Sequence, residues 1–379
     1  MSIEPLLSPD AFIGLEGITH LACGGEAPWL KSNDEVYADF ARWKGGGKLG
    51  RQEILGRTER CRGKVGKLWG VPEERVSFTP SAAEGMAWLA RGLDWREGDN
   101  VVTTNLEFPS VAYAWRNLKQ AGVETRLVEH EEDWEVPEEK LLAAVDERTR
   151  VLAVSQVSFY TGQCLDIAQL AAGLKAKPEP VLLAVDATHA SGVVIVPAAL
   201  TDLCVSSSYK WMLSTHGTAA CYLSERAEAS IQPSSFGWRN LDIFPTEKPE
   251  RAPEVEARSM PYMMEPGNPA MLVIALLDGA LEILLETGIE RIEAHARDLA
   301  AYIDDGLSSL GKTVISPRRR EARSGNTCFL AEDATGVEKR LADQGILVWG
   351  ESGRVRVSGH LYNGSTDVDT LIRTLGEVK

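Results

Sequence analysis

Apolar positions along the first two thirds of the chain fall into two alternating patterns. Short runs rich in valine, leucine and alanine occupy residues 76–78, 101–104, 125–128, 151–157, 181–186, 203–206 and 219–223. Between several of them, residues 83–92, 111–121, 137–145 and 167–175 carry apolar side chains at helical spacing. Strand-length runs alternating with helical stretches read as an α/β fold with a mostly parallel seven-stranded sheet and helices on its faces.

A turn-rich stretch at 232–269 is followed by two long helical patterns, 270–286 and 289–310. The first is apolar nearly all round, as expected of a helix buried between domains or at a subunit contact. A smaller α+β unit closes the chain, with strands expected near Val314, Cys328, Val348 and Val355 and helices near Val337 and Val368. Within it, Arg318, Arg319, Arg320 and Arg323 lie between Pro317 and Gly325 and read as a solvated loop.

Composition narrows the partners. The 379 residues include 40 Lys+Arg against 55 Asp+Glu, a formal net charge of −15. That sign argues against nucleic acid or an anionic membrane, whose binding relies on clustered basic residues. The longest apolar stretch, 271–285, is broken by Asp278 and Glu282, so no membrane span is expected. The first residues have neither a basic nor an apolar signal region, and the protein is read as cytoplasmic. Six cysteines without a CxxC pair favour buried thiols over disulfides, and no metal site is expected.

Two phosphate-loop patterns do not survive their context. Residues 306–313, GLSSLGKT, match G-x-x-x-x-G-K-[ST], but a helix that stops at Gly306 precedes them and a strand follows, the reverse of what that loop needs. Gly45, Gly47 and Gly50 match G-x-G-x-x-G after a helical segment rather than a strand, which suggests a flexible loop near the site.

The chemistry-bearing pattern lies at two strand ends. Asp186 ends an apolar strand, where open α/β sheets place ligand-binding groups, and His189 follows in the same turn. The next strand leads into Ser206-Ser207-Ser208-Tyr209-Lys210-Trp211. A lysine that forms a Schiff base, with a carboxylate to pair a pyridinium nitrogen, is what pyridoxal phosphate requires.

With these residues, the stretches TPSAAEGMAWLARGL, NLEFPSVAYAW, SQVSFYTGQCLDI, AVDATHASG, SSSYKWMLSTHGTAACYLSERA, MEPGNPAM and VRVSGHLYN make the chain resemble the class V aminotransferase family of fold-type I pyridoxal-phosphate enzymes. The resemblance implies a segment at 1–30 packing near the small domain, a large cofactor domain at 31–265, and interdomain helices with a small C-terminal domain at 266–379. It also implies a homodimer acting on a small amino-acid substrate. Ser81, Ala82 and Ala83 would present helix N-terminal amides to the cofactor phosphate, helped by Ser207, Tyr209 and the neighbouring subunit's Asn268. Phe108 would stack on the pyridine ring, and His189 would lie near the phenolic oxygen or the substrate. Arg356, before Tyr362-Asn363, would grip the substrate carboxylate. Trp238 and Arg239 are weaker candidates for the substrate pocket, and Phe159 or Tyr160 stands where desulfurases often carry an asparagine.

Between residues 345 and 356 there is no cysteine, which argues against persulfide-forming desulfuration. The aromatic run at 159–160 and the Ser-Tyr-Lys-Trp segment look more like the kynureninase and isopenicillin N epimerase-like branch. Transamination is therefore the leading expectation, with β-lyase or hydrolase chemistry and epimerisation as alternatives. A cofactor-binding scaffold or regulator without turnover is the non-enzyme reading, against which intact Lys210, Asp186 and Arg356 argue.

Overall fold

The computed structural model describes residues 2–242 and 256–377; part of the turn-rich stretch, 243–255, lies outside the described residues. Two helices, α1 (Asn33–Gly45) and α2 (Gly47–Trp69), meet at Gly46. The loop expected around Gly45, Gly47 and Gly50 is thus a tight helix junction. Gly47 takes a left-handed φ of +59°, and a Cβ on Gly50 would sit 1.7 Å from the Trp43 carbonyl oxygen. Only glycine tolerates both conditions.

The seven strand-like runs pair into one sheet. Its strands are β1 (Val76–Thr79), β2 (Asn100–Thr104), β3 (Glu124–Val128), β4 (Thr149–Ser155), β5 (Leu182–Asp186), β6 (Leu203–Ser207) and β7 (Ala219–Leu223), in the order β1-β7-β6-β5-β4-β2-β3. Only β7 runs antiparallel to its neighbours. Every residue of β5, β6 and β7 is buried, which explains why the strands read as continuous apolar runs rather than alternating ones. Helix α3 (Ala82–Gly92) packs closely on this sheet because Gly85 has no side chain; a Cβ there would come within 2.6 Å of Val205 Cγ1. Helix α4 (Ile167–Lys175) covers part of the other side with Leu170 and Leu174.

The helix expected at 111–121 is broken. One helical turn, Pro109–Ala112, is followed by a 3-10 segment, Arg116–Ala121, which ends on left-handed Gly122. Between the two, buried Trp115 packs edge-on against Trp95 at 6.1 Å, so one large anchor sets the path of the backbone.

The remaining elements are α5 (Met271–Thr287), α6 (Ile289–Ser309), β8 (Asn326–Leu330), α7 (Ala334–Ala342), β9 (Trp349–Glu351), β10 (Arg354–Ser358) and α8 (Ser365–Glu377). Strands β8, β10 and β9 form an antiparallel sheet in that order. Buried α5 packs on α2, and its Asp278 is paired with Arg57 and Lys64. Gly306 does not stop a helix as expected. It lies inside α6, where a Cβ would come within 2.5 Å of Ile372 on α8, and the turn comes at left-handed Gly311. Val314 makes a single bridge to Phe329 rather than a strand.

The early residues run along the small sheet. Thr19–His20 pairs in parallel with Ile346–Leu347, and Cys23 N donates to Ser358 O at 3.3 Å. Ala27 N then donates to Tyr209 O at 3.2 Å, which carries the segment onto the lysine loop. Arg318, Arg319 and Arg320 are exposed and each faces a carboxylate. Among the described residues, the six cysteines are free, no acidic, histidine or cysteine group has metal-binding geometry, and no helix is long and apolar enough to cross a membrane.

Candidate active site

The carboxyl ends of β1, β4, β5 and β6 converge on one open cavity of about 130 Å³. Asp186 closes β5, and its Oδ1 accepts the Thr188 N–H at 2.8 Å. Thr188 Oγ1 in turn accepts the Ser207 N–H at 3.1 Å, locking the end of β6 to the turn after β5. Ser207 Oγ accepts the Ala82 N–H at 3.2 Å, and Ser81 Oγ caps α3 by accepting the Glu84 N–H at 3.2 Å. The positive end of an eleven-residue helix therefore forms one wall of the cavity, a natural seat for an anion.

Lys210 sits on the turn after β6 with its amine buried. Its Nζ lies 2.9 Å from His189 Nε2, 5.5 Å from the Phe108 ring centroid and 5.4 Å from that of Tyr209. Burial, and then the charge of Arg356, bring the amine down to about 7. Burial also raises the Asp186 carboxyl, and it holds His189 well below its ordinary value, with the charges of Lys210 and Arg356 acting in the same direction. The turn fits beneath its neighbours because Gly192 leaves room; a Cβ there would sit 2.2 Å from Trp211 O.

Of the residues singled out in the sequence, Ser81, Ala82, Ala83, Phe108, Asp186, His189, Ser207, Tyr209 and Lys210 all line this cavity. Arg356 stands just behind it. Its Nη1 donates to Phe159 O at 3.0 Å, while its Nε is buried with no hydrogen-bond partner. Burial lowers this guanidinium to about 10. Phe159 lines the cavity edge-on to Phe108 at 5.2 Å. Tyr160 does not line it; its ring stacks on Trp134, lies 4.4 Å from the Arg354 guanidinium, and its hydroxyl donates to Ser352 O at 3.1 Å.

Three further candidates lie elsewhere in the chain's own fold. Trp238 is 43% exposed and Asn268 is exposed, its Oδ1 accepting from Arg51 Nη2 at 3.4 Å; neither lines the cavity. Arg239 is buried in an ion pair with Glu265 at 3.0 Å, a structural position.

Ser110, Ser155 and Thr188 on the cavity wall were not singled out, nor were two polar residues next to it. Glu107 is half-buried behind it, accepting the Ser155 N–H at 2.7 Å, and desolvation of its carboxyl raises it to about 7. Asn326 on β8 reaches His189 Nδ1 with its Nδ2 at 3.1 Å. Glu107 lies in the quoted NLEFPS stretch, which could have flagged it; nothing in the local sequence marks Asn326.

These residues fit pyridoxal phosphate as a donor set. A buried amine, a buried carboxylate and a helix N-terminus with Ser207 share a cavity with an aromatic face, and an unpartnered buried arginine nitrogen stands behind its wall.

Comparison with known proteins gives the same picture. A family model described as aminotransferase class-V matches residues 35–371. A probable cysteine desulfurase of Methanothermobacter thermautotrophicus is 26% identical, covering 85% of this chain and 84% of the relative. A kynureninase of Geobacillus thermodenitrificans is 27% identical over 76% of this chain and 70% of the relative. Among solved structures, a C-DES mutant with glycine covalently linked to the PLP cofactor superposes with a TM-score of 0.89 at 18% identity, covering 98% of this chain and 100% of that one. The chain belongs to the aminotransferase class-V family of pyridoxal-phosphate-dependent enzymes.

Proposed function

We propose that the protein is an aminotransferase acting on an α-amino acid, with Lys210 as the proton-transferring base and Arg356 as the carboxylate ligand. The observation that carries this reading is the buried Lys210 amine, brought down to about 7, in a cavity backed by an arginine whose Nε has no partner. Pyridoxal phosphate, when bound, supplies an electron-withdrawing ring that acidifies the substrate's Cα–H. Ser81, Ala82, Ala83, Ser207 and Tyr209 would hold its phosphate, Phe108 would cover its ring, and Asp186 would pair the ring nitrogen. Arg356 fixes the substrate by its carboxylate and so orients the Cα–H. Lys210 would take that proton from Cα and give it to a different carbon, as transfer of the amino group requires, a task suited to a base with a pKa near neutrality. His189, bonded to Lys210, orients the amine.

A homodimer, in which Asn268 would reach the cavity of a second copy, fits the exposed position of Asn268 outside this one. The free, mostly buried cysteines favour a cytoplasmic setting.

A second reading, a β-lyase or hydrolase, draws on the relatives named cysteine desulfurase and kynureninase. The same α-proton removal precedes loss of a β-substituent. No cysteine lines the cavity among the described residues, and Cys23, buried beneath Lys210, is pushed up by burial, so direct elimination fits better than thiol capture. Product analysis over an amino-acid panel, with and without a keto acid, separates the readings. Turnover that needs the keto acid supports transamination; ammonia and a three-carbon product released without it would replace that reading with elimination.

A further inference from the structure

Ser358, Asn326, His189 and Lys210 form a continuous line of hydrogen bonds from the small sheet to the lysine. Ser358 Oγ donates to Asn326 Oδ1 at 2.7 Å, Asn326 Nδ2 lies 3.1 Å from His189 Nδ1, and His189 Nε2 lies 2.9 Å from Lys210 Nζ. All four side chains are buried, Ser358 and Asn326 almost completely, which favours each keeping its protein partner.

The direction of the bonds follows from what each group can do. An amide NH2 only donates, so His189 Nδ1 accepts. A neutral imidazole then carries its single proton on Nε2. An Nε2–H can bond Lys210 Nζ only when the amine offers its lone pair. The reverse arrangement, with the Asn326 amide turned over and Nε2 accepting from the amine, would turn the Asn326 NH2 onto Ser358 Oγ, which donates to Asn326 Oδ1 at 2.7 Å. An ammonium at Lys210 would besides share a desolvated region with Arg356 and Arg354, a costly gathering of like charges.

We infer that Asn326 is a positioning residue which fixes His189 as the Nε2–H tautomer and thereby holds Lys210 as the free amine. The charged groups that act on this pair come from four directions: Asp186 on β5, Arg354 and Arg356 on β10, Glu351 on β9 and Glu26 on the early segment. None of them bonds His189 Nδ1 among the described residues, which leaves that atom to Asn326. The inference goes beyond the proposed reaction and does not rest on it, because the tautomer is defined without substrate.

The test is nitrogen-15 NMR of histidine-labelled full-length protein freed of bound cofactor, with the His189 signal assigned from its loss in His189→Gln. The expected result is a protonated Nε2 and a pyridine-like Nδ1; a protonated Nδ1 overturns the inference. In Asn326→Asp the carboxylate accepts from Nδ1–H, so the tautomer should reverse, and retention of Nε2–H overturns it as well. Asn326→Leu removes the donor without adding charge. In a folded Asn326→Leu protein, the midpoint pH for acetylation of Lys210 by acetic anhydride should rise by about 0.5 to 1, a roughly two- to fivefold lower rate near pH 7. An unchanged midpoint would show that Asn326 only fills space. If neither variant folds, the tautomer of the native protein still decides the matter.

Discussion

Arg62 and Arg356 are both almost completely hidden from solvent, yet only one of them is neutralised. Arg62 donates to both oxygens of buried Glu265, at 3.0 and 3.4 Å, and to Glu59 at 2.9 Å. Glu265 also takes Arg239 and the Phe78 N–H. Burial works against the Arg62 charge, but its carboxylate partners outweigh it and raise the group. Arg356 makes no ion pair among the described residues, keeps a bare Nε, and is lowered to about 10 by burial. The first arginine belongs to a closed structural network that carries its own counter-charge. The second is held open, and a carboxylate arriving from outside would complete it.

That contrast can be broken or sharpened by experiment. The largest effect is expected at the cavity itself: Lys210→Ala should eliminate the borohydride-reducible linkage to pyridoxal phosphate, read by intact mass. A linkage that survives would place the reactive amine elsewhere. Arg62→Met should destabilise the protein by roughly 3–5 kcal/mol in urea unfolding, because Glu265 is left buried with its charge less well compensated. Arg356→Met should behave in the opposite way. Stability should change by less than about 1 kcal/mol, since an isolated buried charge is replaced by an apolar chain. Binding of carboxylate substrates should weaken by roughly 2–5 kcal/mol, seen as a raised KM. Equal stability losses in the two variants would erase the distinction.

A smaller effect concerns pH. Because the folded-state amine of Lys210 is lowered from 10.5 to about 7, its free form predominates above about pH 7. The rate of linkage to pyridoxal phosphate should therefore climb through pH 7 and level off, rather than rise toward pH 10.5. The smallest effect is at Glu107, whose carboxyl is raised from 4.5 to about 7 by burial. The native state then binds its proton more tightly than the unfolded state. Its stabilising contribution is present below pH 4.5 and is lost as pH rises through 7, at most about 1.4 kcal/mol per pH unit. Glu107→Gln should flatten that slope in unfolding measured between pH 5 and 7.

The sheet was legible in the sequence because strands covered on both faces show as uninterrupted apolar runs, and the site because Asp186 and Lys210 sit at strand ends. What stayed hidden depended on distant partners. Whether Phe159 or Tyr160 faces the cavity is set by Arg354 and Arg356, which take the two carbonyls from 197 and fewer residues away. The inward turn of Glu107 is fixed by Ser155, 48 positions later, and the role of Asn326 by a ring 137 positions earlier. The glycine patterns at 45–50 and 306–313 misled for the opposite reason: local spacing mimicked loops, while close approach to Trp43 and Ile372 explains the glycines at 50 and 306.

The early segment has a consequence for how the protein is made. His20 O accepts the Asn363 side-chain amide across 343 positions of the chain, and the next residues brace both β10 and the lysine loop. Contacts of such sequence separation form late, since the loop they close spans 343 positions. During synthesis the large sheet has its strands well before Ser358 or Asn363 leaves the ribosome. The bracing of the lysine loop from the small sheet is therefore completed only after Asn363 has been added, and a shorter nascent chain holds its reactive lysine in an unbraced cleft.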